Sequence, residues 1–342
     1  MPVRSDVSLA DLTTLRLGGP ARRVVEAATE TEIVDAVRAA DTRDEPVLVV
    51  AGGSNLVVAD EGFDGTVVHV VSRGVTVTDA GGGAEVTVAA GEPWDDLVAR
   101  AVSEEWSGVE ALSGIPGSTG ATPIQNVGAY GQEVSETIDR LRAWDRRRGV
   151  VRTFSAADSG FGYRTSAFKG NDRYVVLDVT FRLARGAAGT PVRYAELARR
   201  LDVAVGATAP AREVRAAVLA LRTGKGMVLD PDDHDTWSAG SFFTNPVLAP
   251  ADVPAGAPAW PQPDGRVKTS AAWLIDHAGF GKGHPGPGSR VALSGKHPLA
   301  LTNRGGATTA DLLALAREVR DAVRARFGVE LVNEPTLVGC SL

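Results

Sequence analysis

The sequence predicts a protein of mixed α/β and α+β class in two domains, and three observations carry that prediction. Two strand–helix passes fall within the first hundred residues, composition shifts after Gly226, and a long amphipathic helix lies near the end. Alternating strands and helices argue for layered α/β packing. A chain of 342 residues has material for two cores. The boundary is expected near 224–228, giving domains at 1–224 (core about 16–187) and 225–342.

The elements follow in order. Val24 to Ala27 reads as a short apolar strand leading to Thr29, with Glu32 three residues on as a capping box. Ile33, Val37 and Ala40 then recur at helical spacing. "PVLVVAGGSNLVVADEGFDGTVVHV" is a set of β-branched runs broken by a glycine pair and by "DEG" and "DG" turns. "AEVTVAAGEPWDDLVARAVSEEW" repeats the plan, its helix carrying Leu97, Val98, Ala101 and Val102. Residues 108–136 show neither period and read as a long ordered loop or a string of short elements. "LRAWDRRRGVVRTF" reads as a hairpin whose basic turn, Arg146 to Gly149, is solvated. "RYVVLDVTFRLA" is a strand, and "AREVRAAVLALRTGKG" a helix with Val214, Ala217, Val218 and Leu221 on one face. Residues 249–265, rich in proline, alanine and glycine, read as an irregular excursion. "SAAWLIDHAGF" is a short buried helix ending at glycine. "TTADLLALAREVRDAVRARFG" is amphipathic through Leu312, Leu315, Val319, Val323 and Phe327 and stops at Gly328. No internal repeat is found.

Composition narrows the function classes. With 36 basic against 42 acidic side chains the net charge is −6, so no general attraction to nucleic acid is expected. The single cysteine, Cys340, cannot form an intrachain disulfide, and five scattered histidines form no metal-binding pattern. No apolar run reaches membrane-spanning length, and "MPVRSDVSLADL" lacks the apolar core of a signal peptide. A cytoplasmic protein without membrane insertion is expected. A monomer is expected too, because each amphipathic helix and apolar strand has an intrachain use.

Four places can carry chemistry. In "VLVVAGGSN" the amides around Gly52 and Gly53 can approach a phosphate, with Ser54 and Asn55 as added donors; a tight turn between strands is the plainer reading. It is neither GxGxxG nor a Walker loop. "SGIPGSTGATPIQNVGAYG" holds Gly114, Gly117, Gly120, Gly128 and Gly131, which let main chain run along a large ligand. Two such segments on one scaffold suggest a dinucleotide. In "FGYRTSAFKG", Arg164 among aromatics is either paired or faces a ligand anion. In "SAGSFFTNP", Ser241 sits beside two phenylalanines with no GxSxG elbow and no histidine nearby in sequence, so a hydrolase triad is unsupported. A serine can donate a proton to a strongly basic acceptor such as an enolate. Glu334, beside Pro335, reads by itself as an edge-strand carboxylate.

Seven motifs in order, "TTLRLGG", "AGGSNLVV", "GIPGSTGATPIQNVGAYG", "FGYRTSAFK", "GSFFTNP", "WLIDHAGFGKG" and "NEPTLVG", run from about Thr13 to Gly339. The chain in this respect resembles the UDP-N-acetylenolpyruvoylglucosamine reductases (MurB type) of bacterial peptidoglycan synthesis. The glycine segments alone are shared with the broader vanillyl-alcohol-oxidase or PCMH-type flavoproteins. The resemblance implies a two-lobed PCMH-type FAD-binding domain and a C-terminal α/β substrate-binding domain, the last residues returning to the first. It implies non-covalent FAD, NADPH as reductant, and UDP-N-acetylglucosamine enolpyruvate as substrate. By motif position Ser241 matches the proton donor, Arg164 the enolate-stabilising arginine and Glu334 the acidic residue at the far side of the site. The flavin segments match Gly52, Gly53, Ser54 and Asn55 together with Gly114, Pro116, Gly117, Ser118, Gly120, Ala121, Gln125, Asn126, Gly128 and Tyr130. Substrate contacts match Tyr163, Tyr194, Lys225, Asn245 and Lys282. The chain departs from the family in the longer, more acidic "GKGMVLDPDDHDTWSAG" and at His297, where the family often carries glutamine.

Two other readings compete. A PCMH-type alcohol oxidase would not need the serine–arginine–glutamate set and would often tether its flavin through histidine or cysteine. A non-catalytic nucleotide-sugar module would keep phosphate loops without that set.

Overall fold

The computed structural model describes residues 1–79 and 81–342, whose contacts fall into two compact units. One comprises Met1–Val7, Ala21–Gly52 and Asp64–Gly224, the other Ser8–Pro20, Gly53–Phe63 and Lys225–Leu342. The chain therefore passes between units at several points rather than at a single one.

In the first unit, strand Pro20–Ala27 feeds helix α1 (Glu30–Thr42), which returns to strand Val47–Val50. That strand runs parallel to Phe63–Val70, with Val47 opposite Thr66. Thr29 accepts from the Glu32 amide as a helix cap should, but the Glu32 carboxylate accepts from Ala28 N at 2.8 Å, one residue earlier than a capping box requires. Ile33 and Val37 of α1 pack with Val68, Val70 and Leu177 in one core.

The second sheet of this unit is antiparallel throughout, in the order Val150–Ser155, Ile138–Asp145, Tyr174–Arg185, Gly83–Ala89, Val75–Asp79. The expected hairpin at Arg146–Gly149 joins its first two strands, and its turn is not wholly solvated: Arg146 pairs with Asp41 at 2.6 Å. Tyr174–Arg185 is central, so Val175 through Phe181 are buried on both faces. Helix α2 (Trp94–Ser103) covers this sheet, with Trp94 against Phe181 and its Nε1 donating to Leu112 O. Helices α3 (Ala195–Leu201) and α4 (Ala211–Gly224) bury Leu197, Val214 and Val218 against Ala111 and Val192.

The second unit is built on helix α6 (Thr309–Phe327), opened by a Thr308–Asp311 capping box and closed by Gly328 at φ 69°. Its Leu312, Leu315, Val319 and Val323 share a core with Phe242, Phe243, Leu301 and helix α5 (Ala271–His277). Strand Ser238–Ser241 pairs with Ala300–Asn303, and that with Val291–Leu293. The stretch expected to be irregular contains a strand, Ala259–Pro261, which pairs with Val267–Thr269. Thr336–Val338 runs parallel to Leu56–Val58, while the Asp60 carboxylate accepts from the Thr309 and Ala310 amides at the start of α6.

Candidate active site

The two glycine segments meet in the first unit. A Cβ on Gly52 would stand 2.7 Å from Gly117 Cα, so the two backbones approach this closely because Gly52 has no side chain. The second segment is fastened from the side of α2. Asp95 Oδ1 accepts from Gly114 N at 2.6 Å, Trp94 N donates to Gly117 O, Thr119 N to Glu92 O, and Gly120 N to Ala90 O. Burial works to raise the Asp95 carboxyl, but the Arg215 guanidinium at 2.6 Å and the Gly114 amide hold it below its ordinary value. Asp95 is thus a fixed anion that braces the loop. Ser118 Oγ is buried with no hydrogen-bond partner, a cost that a bound polar group would remove. Side-chain-free backbone beside an unsatisfied hydroxyl is a donor set that fits the diphosphate and sugar hydroxyls of FAD. Pro116 lies within this run, Ala121 ends the turn Thr119–Ala121, and Gln125 follows four residues later. Gly53, Ser54 and Asn55 belong to the second unit, where Gly53 O accepts from Thr14 N and Asn55 Nδ2 donates to Glu334 O.

Beyond this run, Asn126, Tyr130 and Arg164 all adopt left-handed backbone, at φ 48°, 50° and 52°. Such conformations are uncommon outside glycine and persist where surroundings enforce them. The Asn126 side chain donates to Glu133 and to Gly162 O and accepts from Ser135 N, so it is committed within the protein. Arg164 donates to Gly128 O at 2.6 Å and lies over the Tyr163 ring. It is paired, as one of the two sequence readings has it: the Asn126 and Gly128 carbonyls accept from its guanidinium, and the Glu133 carboxylate lies 3.9 Å away.

In the second unit a bulge aims Ser241. Ser238 faces Thr302 and Ser241 faces Ala300, so the strand carries an extra residue where Gly240 takes φ 75°. Bulges of this kind redirect a side chain. Phe242 and Phe243, each 1% exposed and 5.1 Å apart edge to face, anchor the strand just beyond. The half-buried Ser241 Oγ shares a 3.2 Å hydrogen bond with His297 Nε2, which no local sequence pattern indicated. Glu334 N donates to Phe242 O at 2.8 Å, bringing the carboxylate's residue beside the serine strand.

The matched substrate contacts lie in two sets. In the first unit Tyr194 begins α3 and meets Tyr130 edge to face at 5.5 Å; both Tyr194 and Tyr163 are exposed. In the second, Asn245 Oδ1 accepts from Ala271 N at the start of α5, Lys225 is half-buried, and Lys282 is exposed. A first-unit cavity of about 310 Å³, which the sequence did not indicate, is lined in part by Thr29, Ser72, Arg73 and Asp178. Burial raises the Asp178 carboxyl, and its Oδ1 is unpartnered.

Residues 21–155 match the FAD binding domain family, and residues 230–338 match the C-terminal domain of UDP-N-acetylenolpyruvoylglucosamine reductase. The reductase of that name from Cutibacterium acnes is 59% identical over 98% of this chain and 90% of its own. The one from Salinispora arenicola is also 59% identical, over 99% and 96%. The crystal structure of the Thermus caldophilus enzyme superposes with a TM-score of 0.68 at 26% identity, covering 99% of both chains.

Proposed function

The chain belongs to the UDP-N-acetylenolpyruvoylglucosamine reductases, FAD-dependent oxidoreductases of peptidoglycan precursor synthesis, and from that premise we propose how its residues act. It reduces UDP-N-acetylglucosamine enolpyruvate to UDP-N-acetylmuramate, as a cytoplasmic monomer, with NADPH as the reductant. Gly52–Asn55 and the 114–131 segment would hold FAD, which when bound and reduced would supply the hydride for the enolpyruvyl β-carbon.

The remaining work is the protein's. Ser241 donates its Oγ proton to the α-carbon. Arg164, with a fixed guanidinium, stabilises negative charge on the enolate and its carboxylate. Glu334 assists protonation from the other side. Phe242 and Phe243 hold the serine strand and keep water from a carbanion that water would protonate on either face. Lys225 and Lys282 suit the substrate diphosphate, Tyr163 and Tyr194 its closing loop, and Asn245 retains its amide NH₂ for a contact.

The observation carrying this reading is the Glu334 N to Phe242 O bond, which supports a shared role for two motif residues far apart in sequence. The test is anaerobic. Ser241→Ala should bleach with NADPH at the normal rate yet be reoxidised by the enolpyruvyl substrate about 10²–10⁴-fold more slowly. Equal reoxidation rates would remove Ser241 from the mechanism.

A further inference from the structure

The acidic stretch before Ser241 has a definite job in the second unit. Asp233 pairs with Lys296, and Asp235 Oδ1 accepts from Gly295 N and from Arg304 Nη1, both at 2.9 Å. Ser294 Oγ accepts from the Lys296 and His297 amides, and Ala300 N donates to His297 O. The turn between strands Val291–Leu293 and Ala300–Asn303 is thereby pinned at both ends, with His297 at its tip. Its Nε2 reaches Ser241 Oγ.

We propose that His297 is the positioning residue for Ser241: it orients the hydroxyl and resupplies its proton, and the acidic stretch is its mount. The inference rests on the reading of Ser241 as proton donor. As the Ser241 O–H bond breaks and the α-carbon C–H bond forms, the electron pair left on Oγ takes the proton from His297 Nε2. The imidazole then recovers a proton from water. Only protons move, so no oxidant or reductant is required. A hydroxyl alone is a poor acid; an adjoining donor that neutralises the developing alkoxide lowers that cost.

The charged groups on the segments joined to this turn and to the serine strand include Asp233 and Asp235 from the preceding segment, Lys296 in the turn, Arg304 past the next strand, and Glu334 from the segment bonded to Phe242. The two aspartates are each matched by a cation, so the mount itself adds little net charge. A proton supplied by His297 makes reoxidation fast when the ring is protonated and slower as pH rises through its ionisation.

The test uses the FAD-loaded enzyme, with flavin absorbance followed anaerobically across pH, in wild type, His297→Gln, His297→Ala, Ser241→Ala and the Ser241→Ala/His297→Gln pair. Expected are unchanged bleaching by NADPH and unchanged melting temperature. Reoxidation by UDP-N-acetylglucosamine enolpyruvate should slow on the order of 10²-fold in His297→Ala and less in His297→Gln, whose amide can still orient the hydroxyl. In His297→Gln the decline at alkaline pH should vanish, and the double variant should be no slower than Ser241→Ala. A His297→Gln enzyme with the wild-type rate and pH profile overturns the proposal, as does a double variant slowed by the product of the single effects. Wild-type enzyme that bleaches but is not reoxidised removes the substrate reading and this proposal together, which distinguishes the two failures.

Discussion

Gly52→Ala tests whether the two glycine segments form one rigid seat for FAD. The added Cβ would lie 2.7 Å from Gly117 Cα and 3.1 Å from Gly117 C, against 3.4 Å where ordinary contact begins. One backbone must therefore retreat by about 0.7 Å, and neither neighbour is a side-chain tip that could swing aside. Overpacking of that size costs about 1–3 kcal/mol. Where FAD binding requires the seat closed, that cost weakens FAD binding roughly 5- to 150-fold. The assay is titration of apoprotein with FAD, followed by flavin fluorescence, alongside Gly224→Ala, where a Cβ meets nothing within 4 Å. Binding of FAD by Gly52→Ala as tightly as by Gly224→Ala would refute the shared-seat argument.

Three further outcomes are expected. Phe243→Ala, removing a side chain only 1% exposed, should cost about 3–5 kcal/mol by denaturant titration, whereas Trp260→Ala at 45% exposure should cost far less. The Asp145 carboxyl is held well below its ordinary value of 3.8, first by hydrogen bonds from the Arg173 guanidinium, so its stabilisation is present above that value and lost as pH falls below it. Urea midpoints should accordingly decline less between pH 5 and 3 in Asp145→Asn, starting from a lower value; a parallel decline would count against this pair. Asn126→Gly relieves a left-handed φ of 48° but loses three side-chain hydrogen bonds, and a lower melting temperature is expected. A rise would mean that strain outweighs the bonds.

What the sequence made legible was local. The 3.6-residue recurrence through Leu312, Leu315, Val319 and Val323 marks α6, and the glycine past Phe327 marks its end. The strand at Ala259–Pro261 was hidden because alanine, tryptophan and proline carry no alternation; it exists by pairing with Lys268 and its neighbours. The antiparallel order of the second sheet is likewise non-local, as Gly83–Ala89 pairs with Tyr174–Arg185 across about ninety residues. The contact of His297 with Ser241 escaped for the same reason: the histidine reaches the serine through a turn braced by Asp233 and Asp235, and its own sequence, "GKHP", names no partner. The phenylalanine pair was readable as core, but the bulge at Gly240 that turns the serine was not.

The first unit separates residues needed for their backbone from residues needed for their side chains. At Gly52 and Gly120 a Cβ would strike the Gly117 backbone or Ala90, so glycine alone permits the approach. At Asn126, Tyr130 and Arg164 the backbone is left-handed, as it is not at Gly52 and Gly120, yet glycine is not used. Each such residue costs about 1–2 kcal/mol in conformation. The cost is tolerable only where the side chain returns something, and all three do so: Asn126 ties three strands of loop together, Arg164 clasps Gly128 O, and Tyr130 meets Tyr194 edge to face. Gly128 completes the pattern, since a Cβ there would come within 3.0 Å of Arg164 Nη1. The strained arginine and the unstrained glycine are therefore one device. Replacing Arg164 by glycine would relieve the backbone and forfeit both the guanidinium and its bond to Gly128 O; the enolate-stabilising role proposed for Arg164 would account for keeping that strain.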